Sequence, residues 1–126
     1  LKFTMTDEGF STDTAFGTLD ISSKDEAGFR PYQLLVSSVA VCSGGVLRKV
    51  LEKKRMNVDD ITITADVTRN ADEANRVEKI HLHFKVKGEG LTKEKLQKSL
   101  DVTFANCSMA QSVKDSIVLS ESCEIV

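Results

Sequence analysis

The stretch that most limits how this chain can fold is Arg30–Lys54, RPYQLLVSSVAVCSGGVLRKVLEKK. It opens on Pro31, the only proline, and a helix's first turn leaves its N–H groups unpaired, so proline suits that position. Leu34, Leu35, Val36, Val39, Val41, Val46, Leu47, Val50 and Leu51 fall nearly all round the following turns. That pattern predicts a helix covered on most sides. Run to Lys54, it would measure roughly 36 Å. Arg48, Lys49, Lys53, Lys54 and Arg55 crowd its end, where cations complement the helix dipole and reach solvent. A helix this apolar is hard to cover within 126 residues, which points to a homodimer whose second copy completes the burial.

One thiol, Cys42, sits near the middle of this helix, among the small residues Ser37, Ser38, Ala40, Ser43, Gly44 and Gly45. Each mid-helix glycine costs about 1 kcal/mol relative to alanine. Two explanations offset that cost: close approach of another backbone or helix beside the thiol, or a break into two helices at Gly44-Gly45. The serines belong to no GxSxG elbow. They are expected to be packing residues whose hydroxyls bond to the preceding turn.

The rest of the chain predicts sheet and a second helical unit. Residues 2–6 and 14–22 alternate apolar and polar around the polar turn TDEGFSTD, giving a hairpin, and 23–29 form a loop. Ile61, Ile63, Ala65 and Val67 alternate with polar residues, as do Ile80, Leu82, Phe84 and Val86, so a second hairpin has one core face and one wet face. Thr92 is placed to cap a helix over Lys93–Asn106. Leu96, Leu100 and Phe104 recur along it, and Cys107 continues their stripe. A short helix at Ser108–Asp115 and a strand within Ile117–Val126 close the chain. The order β-β-α-β-β-α-α-β makes one α+β domain over residues 1–126.

Composition excludes several classes. The apolar fraction of 40% and net charge of −2, with no dominant basic block, argue against nucleic-acid binding. No unbroken apolar run approaches the ~18 residues that span a bilayer, and LKFTMTDEG has no signal-peptide core. A cytoplasmic location without membrane contact is therefore expected. Three cysteines and no CxxC disfavour a disulfide framework, a thioredoxin-like dithiol and a zinc ribbon. His81 and His83 share a strand face with Lys79, Lys85 and Lys87, which repel a cation, so no metal or cofactor is expected and that face is read as solvated. Cys123 is read as packing.

Cys42 and Cys107 are the leading chemical pair, and two readings of them stand. Free cysteine is among the most buried residue types, so both could be core residues. Alternatively Cys42 is a thiolate nucleophile and Cys107 resolves its oxidised form, which the shared core makes plausible. Arg30 lies twelve residues before Cys42, about 18 Å along a helix. It activates the thiol only if the fold or a second copy brings a guanidinium close.

RPYQLLVSSVAVC, with a proline eleven residues before a helical cysteine, followed by a hairpin and a helix ending at the second cysteine in ANCSMAQSV, resembles the OsmC/Ohr family of thiol-dependent peroxidases. The resemblance covers nearly the whole chain. It implies an intertwined homodimer with thiol sites at the interface. It implies reduction of organic hydroperoxides, with Cys42 matching the peroxidatic cysteine and Cys107 the resolving one, restored by an external dithiol reductant. Leu34 and Leu35, with Tyr32 and Ser38, would line a pocket for an apolar peroxide. The chain departs from the family pattern in three places. No arginine precedes Arg30, Tyr32 stands where a glutamate is expected, and Ser108 follows the second cysteine where proline is common. These departures keep a second reading open: a non-enzymatic member of the fold that holds an apolar ligand or senses redox state.

Overall fold

Pro31 opens the long helix, α1 (Pro31–Lys53), which continues unbroken through Gly44 and Gly45. The break into two helices is therefore excluded. Gly44 is buried, and a Cβ on it would stand 2.7 Å from Ile63 Cδ1, too close for any larger residue without displacing Ile63. A strand side chain, rather than another backbone, crowds the helix there. Gly45 is exposed and a Cβ on it would meet nothing within 4 Å. The helix stops at Arg55, whose φ of 57° is left-handed. This reversal lets Arg55 N–H reach Glu52 O at 2.9 Å and Met56 N–H reach Leu51 O at 3.0 Å, satisfying carbonyls of the last turn.

The structure is a computed structural model that describes residues Leu1–Val126. Its internal contacts divide into two units, Leu1–Ser37 and Ser38–Val126. The first holds a three-stranded antiparallel meander, β1 (Thr4–Met5), β2 (Phe10–Asp13) and β3 (Thr18–Ile21), in the order β1-β2-β3. The N-terminal strand region is thus richer than a hairpin. Phe10–Asp13, expected as part of a polar turn, pairs along all of β3. Its Thr12 is buried, so the polar letters there concealed a central strand. Tight reversals are closed by Thr6 N–H to Gly9 O and Thr14 N–H to Gly17 O. Gly28 permits the next segment to lie against β3, since a Cβ on it would meet Asp20 O at 2.7 Å.

The second unit is built on β4 (Asn57–Asn70), β5 (Arg76–Glu89) and β6 (Val118–Ile125), ordered β4-β5-β6. β4 pairs antiparallel with β5, and β6 pairs parallel on the other side of β5. The parallel return needs a crossover, supplied by α2 (Lys93–Asn106) and α3 (Ser108–Val113). Thr92 caps α2 as the sequence predicts, accepting from Lys95 N–H at 3.2 Å. Ile80, Leu82, Phe84 and Val86 of β5 are buried with Leu47 and Leu51 of α1 and Leu96 and Leu100 of α2. At ~25 cal/mol per Å² of apolar surface, each such side chain contributes about 1.5–3 kcal/mol.

The opposite face of β5 is not simply solvated. His81 and His83 are half-buried and bridge to β6. His81 Nδ1 lies 2.6 Å from Ser120 Oγ and its Nε2 2.8 Å from Ser122 Oγ. His83 Nδ1 lies 2.6 Å from Ser122 Oγ and its Nε2 3.1 Å from Glu124 Oε1. Hydrogen bonding from His83 holds the Glu124 carboxyl below its ordinary value, with Lys85 adding to it.

One expectation about α1 needs correction. Counting unbroken apolar runs missed that an 18-residue stretch of the helix, at mean hydropathy 1.6, is long and apolar enough to cross a membrane. The core helix of a soluble protein meets the same test. Only 33% of that stretch is buried within the chain, and Val41 is 71% exposed. The cover expected on most sides of the helix is therefore not supplied by this chain alone.

Candidate functional site

Two cysteine-serine dipeptides meet in the second unit, and they do so crosswise. Cys42 and Ser43 lie on α1; Cys107 links α2 to α3, and Ser108 begins α3. Ser43 Oγ donates to Cys107 Sγ at 3.3 Å. Ser108 Oγ lies 3.7 Å from Cys42 Sγ. Each serine thus serves the thiol of the other dipeptide. The two thiols influence one another's acidity, and both are free. This differs from the expectation that Ser43 bonds to its own preceding turn; its hydroxyl is fully buried and points at Cys107 instead.

The local backbone explains how α3 contributes. Cys107 caps α3 with an extended conformation, φ −83° and ψ 109°, and its Sγ accepts from Ala110 N–H at 3.4 Å. The first turn of any helix leaves its N–H groups without intrahelical partners. In α3 the Ala110 N–H goes to the Cys107 sulfur.

The environments push the two thiols apart. Cys42 is held below its ordinary value, chiefly by the Met109 N–H and then by the Cys107 thiol, with the Ser108 hydroxyl and N–H adding to the effect against some burial. Cys107 is pushed up, chiefly by burial. Ser43 and Ala110 N–H pull it down, while the hydrogen bond and charge of Cys42 raise it. Cys42 is half-exposed and Cys107 fully buried. Chemically, the arrangement offers one accessible sulfur that ionises first and one enclosed sulfur that keeps its proton.

Other predicted residues lie elsewhere. In the first unit, Arg30 Nε faces Asp25 Oδ1 at 3.8 Å, and its guanidinium stacks 5.0 Å from the Tyr32 ring centroid. Tyr32, Leu34 and Leu35 are half-buried on the first turns of α1, and Ser38 is half-buried a turn later. Cys123 packs on β6, buried, with Sγ 3.8 Å from Gln97 Oε1 of α2. Burial raises its thiol. Sequence reasoning read Ser43 only as packing and Ser108 only as a departure from the family pattern, and did not single out Met109 or Ala110. The repeated Cys-Ser dipeptide was the one available signal.

An α+β fold of two three-stranded sheets, with paired thiols where a long helix meets a helix-helix junction, defines a narrow class. A family model described as OsmC-like protein matches residues 23–122. The chain belongs to the OsmC/Ohr family. It is 26% identical to organic hydroperoxide resistance protein OhrA of Bacillus subtilis over 92% of this chain and 82% of that one. A hypothetical protein from Aquifex aeolicus superposes with a TM-score of 0.89 at 26% identity, over 99% of this chain and 93% of that one. The OsmC-like protein of Mycoplasma pneumoniae gives 0.85 at 13% identity, over 99% and 96%, sharing the fold.

Proposed function

We propose that this protein is a thiol-dependent peroxidase that reduces organic hydroperoxides through Cys42 and Cys107. The observation that carries the reading is the pair of thiols joined crosswise through Ser43 and Ser108, the accessible member being the more acidic. A thiolate, not a thiol, attacks peroxide. The Cys42 thiolate bonds to the distal peroxide oxygen, the O–O bond breaks, and the leaving alkoxide takes a proton to become an alcohol. Cys42 is then a sulfenic acid. The Cys107 sulfur attacks it, an S–S bond forms, and the hydroxyl leaves as water with the Cys107 proton. An external dithiol reduces the disulfide by exchange and is itself oxidised. The similarity to an organic hydroperoxide resistance protein supports the substrate class. Leu34, Leu35, Tyr32 and Ser38 are the proposed lining of the substrate pocket.

The working form is a cytoplasmic homodimer, and residues 1–126 act as one OsmC-like domain. The uncovered side of α1, with Val41 and Gly45 exposed, supports a second copy as its cover. Turnover tests the reading: with cumene hydroperoxide and a dithiol, Cys42→Ser abolishes peroxide consumption. Cys107→Ser permits one oxidation of Cys42 and no dithiol-driven cycling. Consumption by Cys42→Ser at the wild-type rate would defeat the assignment.

A second reading is a redox sensor or apolar-ligand binder on the same fold. It is favoured by the sequence, in which no arginine precedes Arg30 and Tyr32 stands where the family has a glutamate. A Cys42 acidity no greater than a free thiol's would select it.

A further inference from the structure

We propose that Ser108 is a catalytic donor to Cys42, its hydroxyl holding the thiolate. The proposal rests on the peroxidase reading for its consequence but not for its geometry.

The contact is direct, since Ser108 Oγ stands 3.7 Å from Cys42 Sγ. When Cys42 carries its proton, either atom can donate. When Cys42 ionises, sulfur can only accept, so the hydroxyl hydrogen turns toward it without any movement of heavy atoms. The main chain of Ser108 is held for this task. Its carbonyl accepts from Ser112 Oγ at 2.7 Å. Cys107 before it is fixed by Ser43 and Ala110. The Ser108 hydroxyl is thus presented to Cys42 from a hydrogen-bonded corner, and hydrogen bonds to an ionised form favour that form.

The alternative source of activation is Arg30. Its Nε lies 3.8 Å from Asp25 Oδ1 and its guanidinium stacks on Tyr32, and its substitution is the control.

Substitutions at position 108 can separate the donors while keeping the fold. Proline is well accepted at a helix's first position. It requires an extended residue before it, which Cys107 already is. Ser108→Pro thus removes hydroxyl and N–H together, Ser108→Ala removes the hydroxyl alone, and Ser108→Thr keeps both. The measurement is the pH profile of iodoacetamide alkylation at Cys42, read by peptide mass on the full-length protein. At neutral pH, Ser108→Ala and Ser108→Pro, both without the hydroxyl, are expected to react about threefold more slowly than wild type, since the thiolate fraction falls as the thiol's pKa rises. Ser108→Thr restores the wild-type profile, and Arg30→Gln leaves it unmoved. A Ser108→Pro profile that coincides with wild type overturns the proposal. So does an Arg30→Gln profile displaced as far as that expected for Ser108→Pro. Alkylation uses no peroxide. If position 108 moves the profile while the wild type fails to reduce cumene hydroperoxide, the peroxidase reading falls and the donor role of Ser108 stands.

Discussion

At the residue scale, ionisable groups sit where packing has moved their acidity. The two thiols are one instance. Glu121 is another: it lies on β6 facing α2, lines a cleft of about 310 Å³ with Gln97, Asp101 and Phe104, and is pushed up from 4.5 to about 7 by burial, with the charge of Asp101 adding to it. Between those two values the folded protein holds a proton that the unfolded chain has lost, so stability falls as pH rises through that window and levels off above about 7. Urea midpoints measured at pH 5 and pH 8 are expected to show the loss in wild type. Glu121→Gln is expected to shrink it and to stabilise the protein at pH 8 by roughly 1 kcal/mol, after allowance for screening on the open side of the cleft. An unchanged difference between the two pH values would refute the placement of this charge. The sequence displayed both cysteines plainly, and their alternation with apolar neighbours placed them on core-facing stripes. It could not display the crossing of Ser43 and Ser108, because hydrogen bonds between residues 64 and 66 apart depend on how α1 and α3 meet.

At the scale of elements, periodicity served wherever one face is buried and the other is wet. β5 is the clearest case, because its even-numbered residues Ile80, Leu82, Phe84 and Val86 are all buried. Pro31 and Thr92 marked helix starts through chemistry that acts on the first turn alone. β2 escaped because Phe10–Asp13 is short and polar in letters, and its pairing with β3 supplies the order that its composition does not. The end of α1 also hid its device. Arg55 adopts a left-handed φ of 57°, a conformation costly to a residue with a Cβ and free to glycine. Arg55→Gly is therefore expected to raise stability by about 0.5–1 kcal/mol in urea unfolding. A loss of stability there would mean that the Arg55 side chain contributes more than its backbone costs.

At the scale of the whole molecule, each unit leaves large apolar side chains open. Val41 on α1, and Phe3, Met5, Phe16 and Phe29 in the first unit, are all more than half exposed. Exposure of this kind is what the proposed homodimer would cover. Light scattering is expected to give a dimer, and Val41→Arg is expected to shift it toward monomer by placing a charge on the apolar side of the helix. A wild-type monomer at micromolar concentration would contradict that arrangement. The sequence reached this inference from the length and apolar girth of Arg30–Lys54 alone. The central claim, that Cys42 and Cys107 form one redox unit, is tested most directly by oxidising the reduced protein with one equivalent of cumene hydroperoxide and mapping its peptides by mass. The account predicts a single Cys42–Cys107 disulfide, lighter than the reduced peptide pair by two hydrogens, formed far faster than free cysteine oxidises, with Cys123 untouched. Thiols that stay reduced, or that oxidise only at the rate of free cysteine, would contradict it.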